Sequence, residues 1–256
     1  GSILSAEVGN SKPISLGTLS LADGTGGSAG SATNYSINSG TVDVIARQIT
    51  LSGTRVYNGS TTVQNSELSI FNNIVSGETL ALSGSGSIDS ANVSSGKAVP
   101  LGTISLIDNT ANASNYSLVS ASLDVTERPI NLTSTKNYDG ESTTISSNIS
   151  LSNLINTETL NLSGTISHSS SNAGIYSTSD ISTSSLILSD GSNGGLASNY
   201  TLTGGTHNFT VNQRAISLSG TRLYDATTNA AASDLSTMAN LVGSETLTLS
   251  GTGSIA

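Results

Sequence analysis

The chain has 256 residues, carries a net charge of −9 at neutral pH, and contains no Cys, no Trp and only 10% charged residues. Its 8 basic residues are scattered, which argues against a nucleic-acid-binding surface, since such a surface needs clustered Lys and Arg. No apolar run approaches the roughly 18–20 residues of a membrane-spanning helix, so we expect no membrane insertion of this segment.

The first segment, residues 1–46, opens with Gly1-Ser2-Ile3 and ends in two stretches, 35–37 and 42–44, that alternate apolar and polar residues. Such alternation is typical of half-buried strands. The Asn- and Gly-containing link at 38–40 predicts a hairpin between the two stretches. We interpret this segment as the C-terminal part of a β-repeat.

The second segment, residues 47–127, contains one complete set of elements. It begins with an alternating strand at 47–51, followed by the turn Tyr57-Asn58-Gly59 and the step Glu78-Thr79-Leu80. A second pair of alternating stretches, within residues 116–125, predicts another hairpin. The order is therefore strand, turn, further strands and closing hairpin.

The same order of elements returns in residues 128–213, where Gly204-Gly205 predicts the turn of the closing hairpin. It starts again in residues 214–256, whose Gly253-Ser254-Ile255 has the phase of the opening tripeptide. Four markers carry the recurrence: the Tyr of a Tyr-Asx-Gly/Ala step, the Tyr of an Asn-Tyr step, a strand-initial Arg, and the Glu of Glu-Thr-Leu. They are Tyr57, Tyr138 and Tyr224; Tyr35, Tyr116 and Tyr200; Arg47, Arg128 and Arg214; and Glu78, Glu158 and Glu245. Their period of about 80–86 residues is that of a small domain, not of a short solenoid rung.

We therefore predict an all-β fold of tandem Ig-like β-sandwich repeats, each with roughly seven short strands. The predicted units are a partial repeat at 1–46, complete repeats at 47–127 and 128–213, and a partial repeat (N-terminal part) at 214–256. Two-residue connections leave little freedom between units, so we expect an extended rod. A β-solenoid is the alternative. Because repeat arrays need atypical terminal units, we expect the polypeptide to continue in both directions.

The Tyr-Asx-Gly/Ala step is typical of a tight turn, because Asx-Gly tolerates a positive φ. In the last copy the third position is Ala226, where a positive φ would cost about 1 kcal/mol. We therefore expect a turn that does not strictly require a positive φ at this position.

A family resemblance rests on motifs that span almost the whole chain. Arg-x-Ile-x-Leu is followed by Tyr-Asp-Gly, Glu-Thr-Leu-x-Leu-Ser-Gly, Gly-Lys-Ala-Val at 96–99, and Asn-Tyr-x-Leu. This pattern resembles the YDG-type repeat of large bacterial adhesins of the filamentous-haemagglutinin type. Asn58 replaces the Asp, Ala226 replaces the Gly, and the third copy has no Gly-Lys-Ala-Val step.

The resemblance implies an extracellular or cell-surface protein of a Gram-negative bacterium. The segment would be a structural stalk or fibre of an adhesin that extends adhesive regions and supports cell attachment or a biofilm matrix. The alternative is that the repeats themselves bind polysaccharide or self-associate between cells, with many weak sites acting through avidity. The expected partners are neighbouring repeats of the same chain and, in the alternative, polysaccharide or like copies.

Enzyme activity is not expected, because two histidines and no cysteine leave little for triad or thiolate chemistry. His168 and His207 lie in the same repeat without counterparts, and we interpret them as solvent-facing residues. Calcium is the main cofactor hypothesis, since the Gly-rich loops at 23–27 and 190–195 each offer one carboxylate. Because calcium sites usually have several acidic ligands, we favour tight turns and expect no cofactor.

The recurrent residues each have two interpretations. The Arg and Glu either pair or cap a junction between repeats, or they carry surface charge that discourages edge pairing. The tyrosines either pack in the core with the hydroxyl tying down a loop, or form an exposed strip that stacks on sugars. We favour surface charge for the first group and core packing for the second.

Overall fold

The computed structural model describes residues 1–70 and 72–254, and its architecture is all-β. In this described part the helical elements are single three-residue 3-10 turns, and no helix is long and apolar enough to cross a membrane. The chain divides into two compact units, residues 1–126 and 127–256. Ile255, which ends the last copy of the Gly-Ser-Ile tripeptide, lies outside the described residues.

The first unit consists of ten strands and three 3-10 turns. The strands are β1 (Gly9–Pro13), β2 (Thr41–Val44), β3 (Arg47–Val56), β4 (Thr62–Gln64), β5 (Ser69–Ile70), β6 (Leu80–Ser83), β7 (Ser85–Ser87), β8 (Ser94–Ala98), β9 (Ser105–Asp108) and β10 (Tyr116–Thr126). The turns are Ala32–Asn34, Asn65–Glu67 and Ala113–Asn115.

Residues 47–126 form one four-stranded sheet with the order β5-β3-β10-β8 and two separate strand pairs, β4-β7 and β6-β9. Only Gly84 separates β6 from β7, so the two pairs are described together as the second sheet. The first strand, β3, and the last strand, β10, lie side by side and parallel. Arg47 is opposite Tyr116 at one end of this pair, and Val56 is opposite Thr126 at the other. The chain therefore enters and leaves this repeat at opposite ends of one strand pair.

The core of this repeat lies between the two sheets. Ile49 of β3 forms a buried cluster with Ala111 and Tyr116. Leu80 of β6 and Leu106 of β9 pack against that cluster from the other sheet. Because side chains alternate across a strand, one face of each sheet supplies this core and the other faces solvent. The predicted sandwich is confirmed.

The second unit consists of fourteen strands and four 3-10 turns. The strands are β11 (Arg128–Pro129), β12 (Asn131–Asn137), β13 (Thr143–Ile145), β14 (Ser150–Ser152), β15 (Leu160–His168), β16 (Gly174–Ser177), β17 (Ile181–Ser182), β18 (Leu186–Asp190), β19 (Tyr200–Thr201), β20 (His207–Asn212), β21 (Ser217–Ser219), β22 (Asn229–Ala231), β23 (Thr237–Ala239) and β24 (Thr252–Ser254). The turns are Ser146–Asn148, Thr178–Asp180, Ala197–Asn199 and Ala232–Asp234.

Residues 128–212 repeat the topology of the first sandwich. One sheet has the order β14-β12-β20-β16, while β13, β17 and β18 all pair with β15. The first and last strands are again parallel, with Leu132 opposite His207 and Asn137 opposite Asn212. Two copies with the same strand order show that the topology belongs to the repeat, and it is a sandwich rather than a solenoid.

The hairpins predicted at the end of each complete repeat are wrong. Tyr116–Thr126 is one continuous strand with a bulge between Leu118 and Ser120. In the next repeat β19 and β20 both run parallel to the first strand. The glycine taken for a turn residue, Gly205, instead allows a close approach, because a Cβ there would lie 1.8 Å from the carbonyl oxygen of Ile130.

Residues 1–46 and 214–254 hold parts of the same topology. In the first, β1 pairs antiparallel with β2, as β8 does with β10. In the second, β21 pairs with β23 and β22 with β24, as β3 does with β5 and β4 with β7. Residues 35–37, predicted as a strand of a hairpin, lie outside the strands.

Candidate functional site

The tyrosine of the Asn-Tyr step ties down the loop before Glu-Thr-Leu. In the repeat 47–126, the Tyr116 hydroxyl donates to a carboxylate oxygen of Glu78 and accepts the backbone N–H of Val75 at 3.1 Å. Burial of the side chain and the bond to Glu78 both raise the pKa of Tyr116. A bond to an ionised acceptor is stronger than a neutral one, so this contact anchors the loop to β10.

The next repeat builds the same anchor from its own residues. The Tyr200 hydroxyl donates to Oε2 of Glu158 at 2.5 Å and accepts the backbone N–H of Ile155 at 3.0 Å. Two of the recurrent markers, the Asn-Tyr tyrosine and the Glu-Thr-Leu glutamate, therefore act as one pair within each complete repeat.

The recurrent arginine binds an asparagine in the left-handed region. Arg214 donates from Nε to the carbonyl oxygen of Asn240 at 2.8 Å and from a terminal nitrogen to its side-chain oxygen at 2.7 Å. The amide of Asn240 donates in turn to the carbonyl oxygen of Ala215 at 2.6 Å. The same clamp joins Arg47 to Asn73 and Arg128 to Asn153.

These clamps share a backbone feature that the residue pattern did not reveal. Asn73, Asn153 and Asn240 have φ of 69°, 70° and 74°, a conformation that Asn tolerates better than most residues. The only available signal was an Asn that recurs 25–26 residues after each Arg. The Arg is thus a structural clamp that holds this Asn in place.

The Tyr-Asx-Gly/Ala step is a turn with a positive φ in every copy, so the expectation drawn from Ala226 is wrong. Gly59, Gly140 and Ala226 have φ of 72°, 81° and 63°. The preceding Asx side chain holds the turn: Asp139 accepts the backbone N–H of Glu141 at 3.0 Å. Side-chain-to-backbone bonds of this kind define an Asx turn, and here they sustain even the strained alanine.

A basic side chain two residues before the tyrosine donates hydrogen bonds to this turn. The sequence analysis did not identify this residue. The ammonium of Lys136 donates to the carboxylate of Asp139 and to the carbonyl oxygens of Glu141 and Thr143, each at 2.8 Å. Arg55 and Arg222 occupy the equivalent positions and also bind carbonyl oxygens after the turn.

These hydrogen bonds have an electrostatic consequence for the turn carboxylates. Partial burial alone would raise the pKa of Asp139, but the bonds from Lys136 and the Glu141 N–H outweigh it and hold the pKa below its usual value. The backbone and side chain of Thr227, together with Arg222, lower the pKa of Asp225 in the same way. Both carboxylates therefore stay ionised in the folded turn.

Three recurrent markers meet where residues 128–213 join residues 214–254, within the second unit. The Tyr138 hydroxyl donates to Oε1 of Glu245. A terminal nitrogen of Arg214 lies 3.4 Å from the carbonyl oxygen of Tyr138. The bond to Glu245 is the main cause that raises the pKa of Tyr138. An open cavity of about 570 Å³ adjoins these side chains, with Ile216 and Leu247 in its wall.

The tyrosines differ in exposure according to the completeness of their repeat. Tyr57, Tyr116 and Tyr200 are buried, whereas Tyr138 is half-buried. The two exposed members, Tyr35 and Tyr224, lie in the partial repeats. The core interpretation therefore describes three of the six.

Three aspartates close the loops in front of the Asn-Tyr step. Asp23, Asp108 and Asp190 each accept the first N–H of the following 3-10 turn, at 2.6, 2.7 and 2.8 Å. Two of them are the carboxylates of the hypothesised calcium loops, and Asp108 was not recognised as their counterpart. Across the described residues, no three or more His, Cys, Asp or Glu side chains gather in a group that could hold a metal ion.

Both histidines are buried, so the prediction of solvent-facing side chains is wrong. His168 packs on Tyr176 with ring centroids 4.7 Å apart, and its Nδ1 lies 2.5 Å from the carbonyl oxygen of Ser170. His207 sits on an inward position of β20. In the repeat 47–126, the residue at the position of His207 is Ala121, which is also buried. Strand alternation placed them inside, although their polarity suggested otherwise.

Comparison with known proteins gives one family match. A family model described as "YDG domain" matches residues 44–123 and again residues 126–208. No curated protein and no solved structure shows a significant match to the chain.

Proposed function

This chain belongs to the YDG domain family, and we propose that it is a load-bearing stalk or fibre segment of a bacterial secreted or cell-surface adhesin. In this role it extends adhesive regions from the cell and supports attachment or a biofilm matrix. Its location is extracellular or on the bacterial surface, its main partners are neighbouring repeats of the same chain, and the role needs no catalysis or cofactor.

The observation that carries this proposal is the parallel pairing of the first and last strands. β3 and β10 are aligned over ten paired positions, with a single bulge. Tension applied at Arg47 and at Thr126 pulls two neighbouring parallel strands in opposite directions. Their ladder hydrogen bonds are then loaded together instead of being opened one after another. β12 and β20 repeat this arrangement.

Side-chain contacts reinforce the strand pair. Arg47, at the start of β3, is clamped to Asn73, and Tyr116, at the start of β10, is anchored to Glu78. Each contact ties one loaded strand to the loop that leads into the other sheet. Such bonds contribute about 1.5–3 kcal/mol each when one partner is charged, so their removal should weaken the repeat.

The alternative, polysaccharide binding by the repeats, receives less support from the tyrosines. A sugar-stacking strip requires exposed rings in register, and Tyr57, Tyr116 and Tyr200 are buried.

Single-molecule pulling on the full chain tests the stalk proposal. We expect two similar unfolding events, each with an extended length of about 26–31 nm, since a residue contributes roughly 3.3–3.6 Å when extended. Ser122→Pro in β10 should lower the force of one event, because proline removes a ladder bond from a central strand. Ser69→Pro in the short outer strand β5 is the matched control.

Two outcomes would contradict the stalk proposal. One is unfolding of the complete repeats at forces too low to distinguish from the partial repeats. The other is an equal loss of force in both proline variants, because the load would then not pass through β3 and β10. Saturable binding of the intact chain to a panel of bacterial polysaccharides would favour the alternative function.

A further inference from the structure

One of the three Tyr-Asx-Gly/Ala turns carries an amide where the other two carry a carboxylate. Lys136 lies 2.8 Å from the carboxylate of Asp139, three positions after it. Arg222 lies 2.6 Å from the carboxylate of Asp225, again three positions after it. In the turn at residues 57–59 the corresponding residue is Asn58. This turn therefore lacks the internal ion pair, but it holds the side chain that hydrolysis converts into the missing carboxylate.

The basic residue of this turn, Arg55, is already in place. Its guanidinium donates to the carbonyl oxygens of Ser60 and Thr62. It also lies 3.4 Å from the carboxylate of Glu67, and its side chain is only 6% exposed. Its Nε is buried without an acceptor among the described residues. Because a buried donor without an acceptor is unfavourable, a carboxylate at position 58 would meet a cation with an unused donor.

Asn58 is followed by Gly59, and both residues are exposed to solvent. The backbone nitrogen after an asparagine can attack the side-chain carbonyl carbon, and glycine hinders this attack least because it has no Cβ. A bond from this nitrogen to Cγ forms, the bond from Cγ to the amide nitrogen breaks, and ammonia leaves with the proton of the attacking N–H. Water then opens the succinimide ring. The net reaction consumes water, releases ammonia and converts the amide into a carboxylate.

The turn polarises the group that is attacked. Oδ1 of Asn58 accepts the backbone N–H of Ser60 at 3.0 Å. Negative charge develops on this oxygen during the attack, and a donor already aimed at it stabilises that charge. The guanidinium of Arg55, bound to the carbonyl oxygen of Ser60, adds positive charge to the same turn. The contacts that shape the turn therefore favour the reaction.

A second Asn-Gly step, Asn193-Gly194, has a different setting. It is exposed as well, so sequence and solvent access alone predict equal reactivity at the two steps. The amide nitrogen of Asn193 donates to the carbonyl oxygen of Thr157 at 3.0 Å. This nitrogen is the leaving group, so the bond has to break before ammonia departs. The contact therefore protects Asn193, whereas the contact on the oxygen of Asn58 activates it.

We propose that Asn58-Gly59 is a site of spontaneous deamidation, and that the aspartate formed there pairs with Arg55. The product sequence is Tyr-Asp-Gly, which residues 138–140 already have. The neutral turn of one complete repeat is thus converted into the charged turn of the next without an enzyme. This reaction belongs to the repeat itself and does not depend on the adhesin role.

The contacts of the turn also select the product. Water that attacks Cγ restores the ordinary backbone and gives aspartate. Water that attacks the backbone carbonyl carbon gives isoaspartate, which inserts an extra methylene group into the main chain. The N–H of Ser60 and the guanidinium of Arg55 act on the side-chain carbonyl, so they favour opening at Cγ. Aspartate should therefore be the main product in the folded chain.

Ageing of the full chain at mildly alkaline pH tests the site. Peptide mapping by mass spectrometry should detect the exchange of an amide for a carboxylate first at Asn58. Asn193 should react about 2- to 13-fold more slowly, the factor that one ordinary hydrogen bond supplies. Electron-transfer fragmentation, which separates aspartate from isoaspartate, should show mainly aspartate at position 58. In guanidinium chloride both contacts are lost, so the two steps should react at similar rates.

Variants separate the attack from its product. Gly59→Ala adds a Cβ beside the attacking nitrogen and should slow the conversion of Asn58 several times. Ala226 shows that this turn accepts an alanine at positive φ. Asn58→Asp supplies the product directly and should slow hydrogen exchange of the Ser60 amide, since its bond then goes to a carboxylate. Asn193→Asp is the matched control, because it loses its amide donor and should not slow exchange in its own loop.

Several outcomes would overturn the proposal. They are equal conversion of Asn58 and Asn193 in the folded chain, mainly isoaspartate at position 58, and faster exchange of the Ser60 amide in Asn58→Asp. Exchange in β3 and β10 should be the same in Gly59→Ala as in the unaltered chain, which shows that the repeat remains folded. The comparison of folded with denatured chain needs no variant, so it decides the matter even where Gly59→Ala does not fold.

Discussion

Replacing Tyr116 with Phe isolates the hydroxyl anchor of a complete repeat. The ring stays in the core, but the charged bond to Glu78 is lost and the N–H of Val75 loses its partner. A hydrogen bond to a charged group contributes about 1.5–3 kcal/mol. Val75 is 42% exposed, so water can replace the hydroxyl at its N–H. We therefore expect a loss of about 1.5–3 kcal/mol for this repeat.

Hydrogen exchange measured by mass spectrometry is the suitable assay, since it reports each segment of a multi-repeat chain separately. Every 1.4 kcal/mol corresponds to a tenfold change, so amides in the core strands β3 and β10 should exchange about 10- to 140-fold faster. Tyr35→Phe is the matched control, because this tyrosine has the same Asn-Tyr context and is exposed. It should change exchange little.

The same anchor predicts a pH dependence. The folded-state pKa of Tyr116 is raised above the ordinary value of 10.0. An unfolded chain therefore releases this proton first as the pH rises. The stability that the anchor contributes is fully present below about pH 10 and is lost as the pH climbs through the higher folded pKa. In Tyr116→Phe this part of the alkaline loss should disappear.

Two results would refute the reasoning about the anchor. Exchange in β3 and β10 that is unchanged by Tyr116→Phe would mean that the hydroxyl contributes nothing to the repeat. An equal effect of Tyr35→Phe would mean that the sequence context, and not the buried contact, determines stability.

Three further predictions concern the other recurrent contacts. Ala226→Gly should slow exchange in its turn by stabilising it by about 0.5 kcal/mol, because the relief of a positive φ exceeds the added chain entropy; faster exchange would contradict this. Glu245→Gln should lower the pKa of Tyr138 towards 10.0, measured by ultraviolet titration against a Tyr138→Phe reference; an unchanged titration would show that the bond is absent in solution. Arg47→Lys should destabilise its repeat by about 1 kcal/mol in chemical denaturation, because an ammonium cannot make both bonds to Asn73; unchanged stability would show that the clamp is dispensable.

Three copies in one chain act as an alignment, and this explains which parts of the structure could be predicted. Recurrence and alternation identified the period, the all-β class and the sandwich. They also marked Tyr116 and Glu78 as special positions. Neither pattern states which residues meet in space, so the Tyr116–Glu78 pair and the Arg47–Asn73 clamp became visible only in the structure.

The errors have a common physical origin in backbone geometry that single residues do not specify. Gly205 was interpreted as a hairpin turn because glycine favours turns, but its role is close approach to a neighbouring strand. Ala226 suggested a relaxed turn, yet its neighbours hold it at φ 63°. His168 and His207 were placed outside because of their polarity, but strand alternation buries them.

The departure of one repeat from the family pattern also has a structural explanation. The carboxylate of Asp43 accepts the N–H of Ser11, and the carboxylate of Asp124 accepts the N–H of Gly96, both at 2.6 Å. Ser11 and Gly96 have a positive φ and lie where the strand register shifts. In the repeat 128–213 the Asp position is Thr210, and β16 pairs with β20 without a shift. Loss of the Gly-Lys-Ala-Val step therefore coincides with loss of the bulge and of its acceptor.

These correlated changes bear on function as well as on fold. A ligand site would be expected to keep its side chains while the scaffold around them varies. Here the Asp position of the bulge varies together with the backbone feature that it stabilises, and the anchors and clamps bind partners within the chain. Recurrence in this protein is thus explained by contacts that hold the repeat together. Adhesive specificity, under the proposed stalk function, would reside outside the recurrent positions.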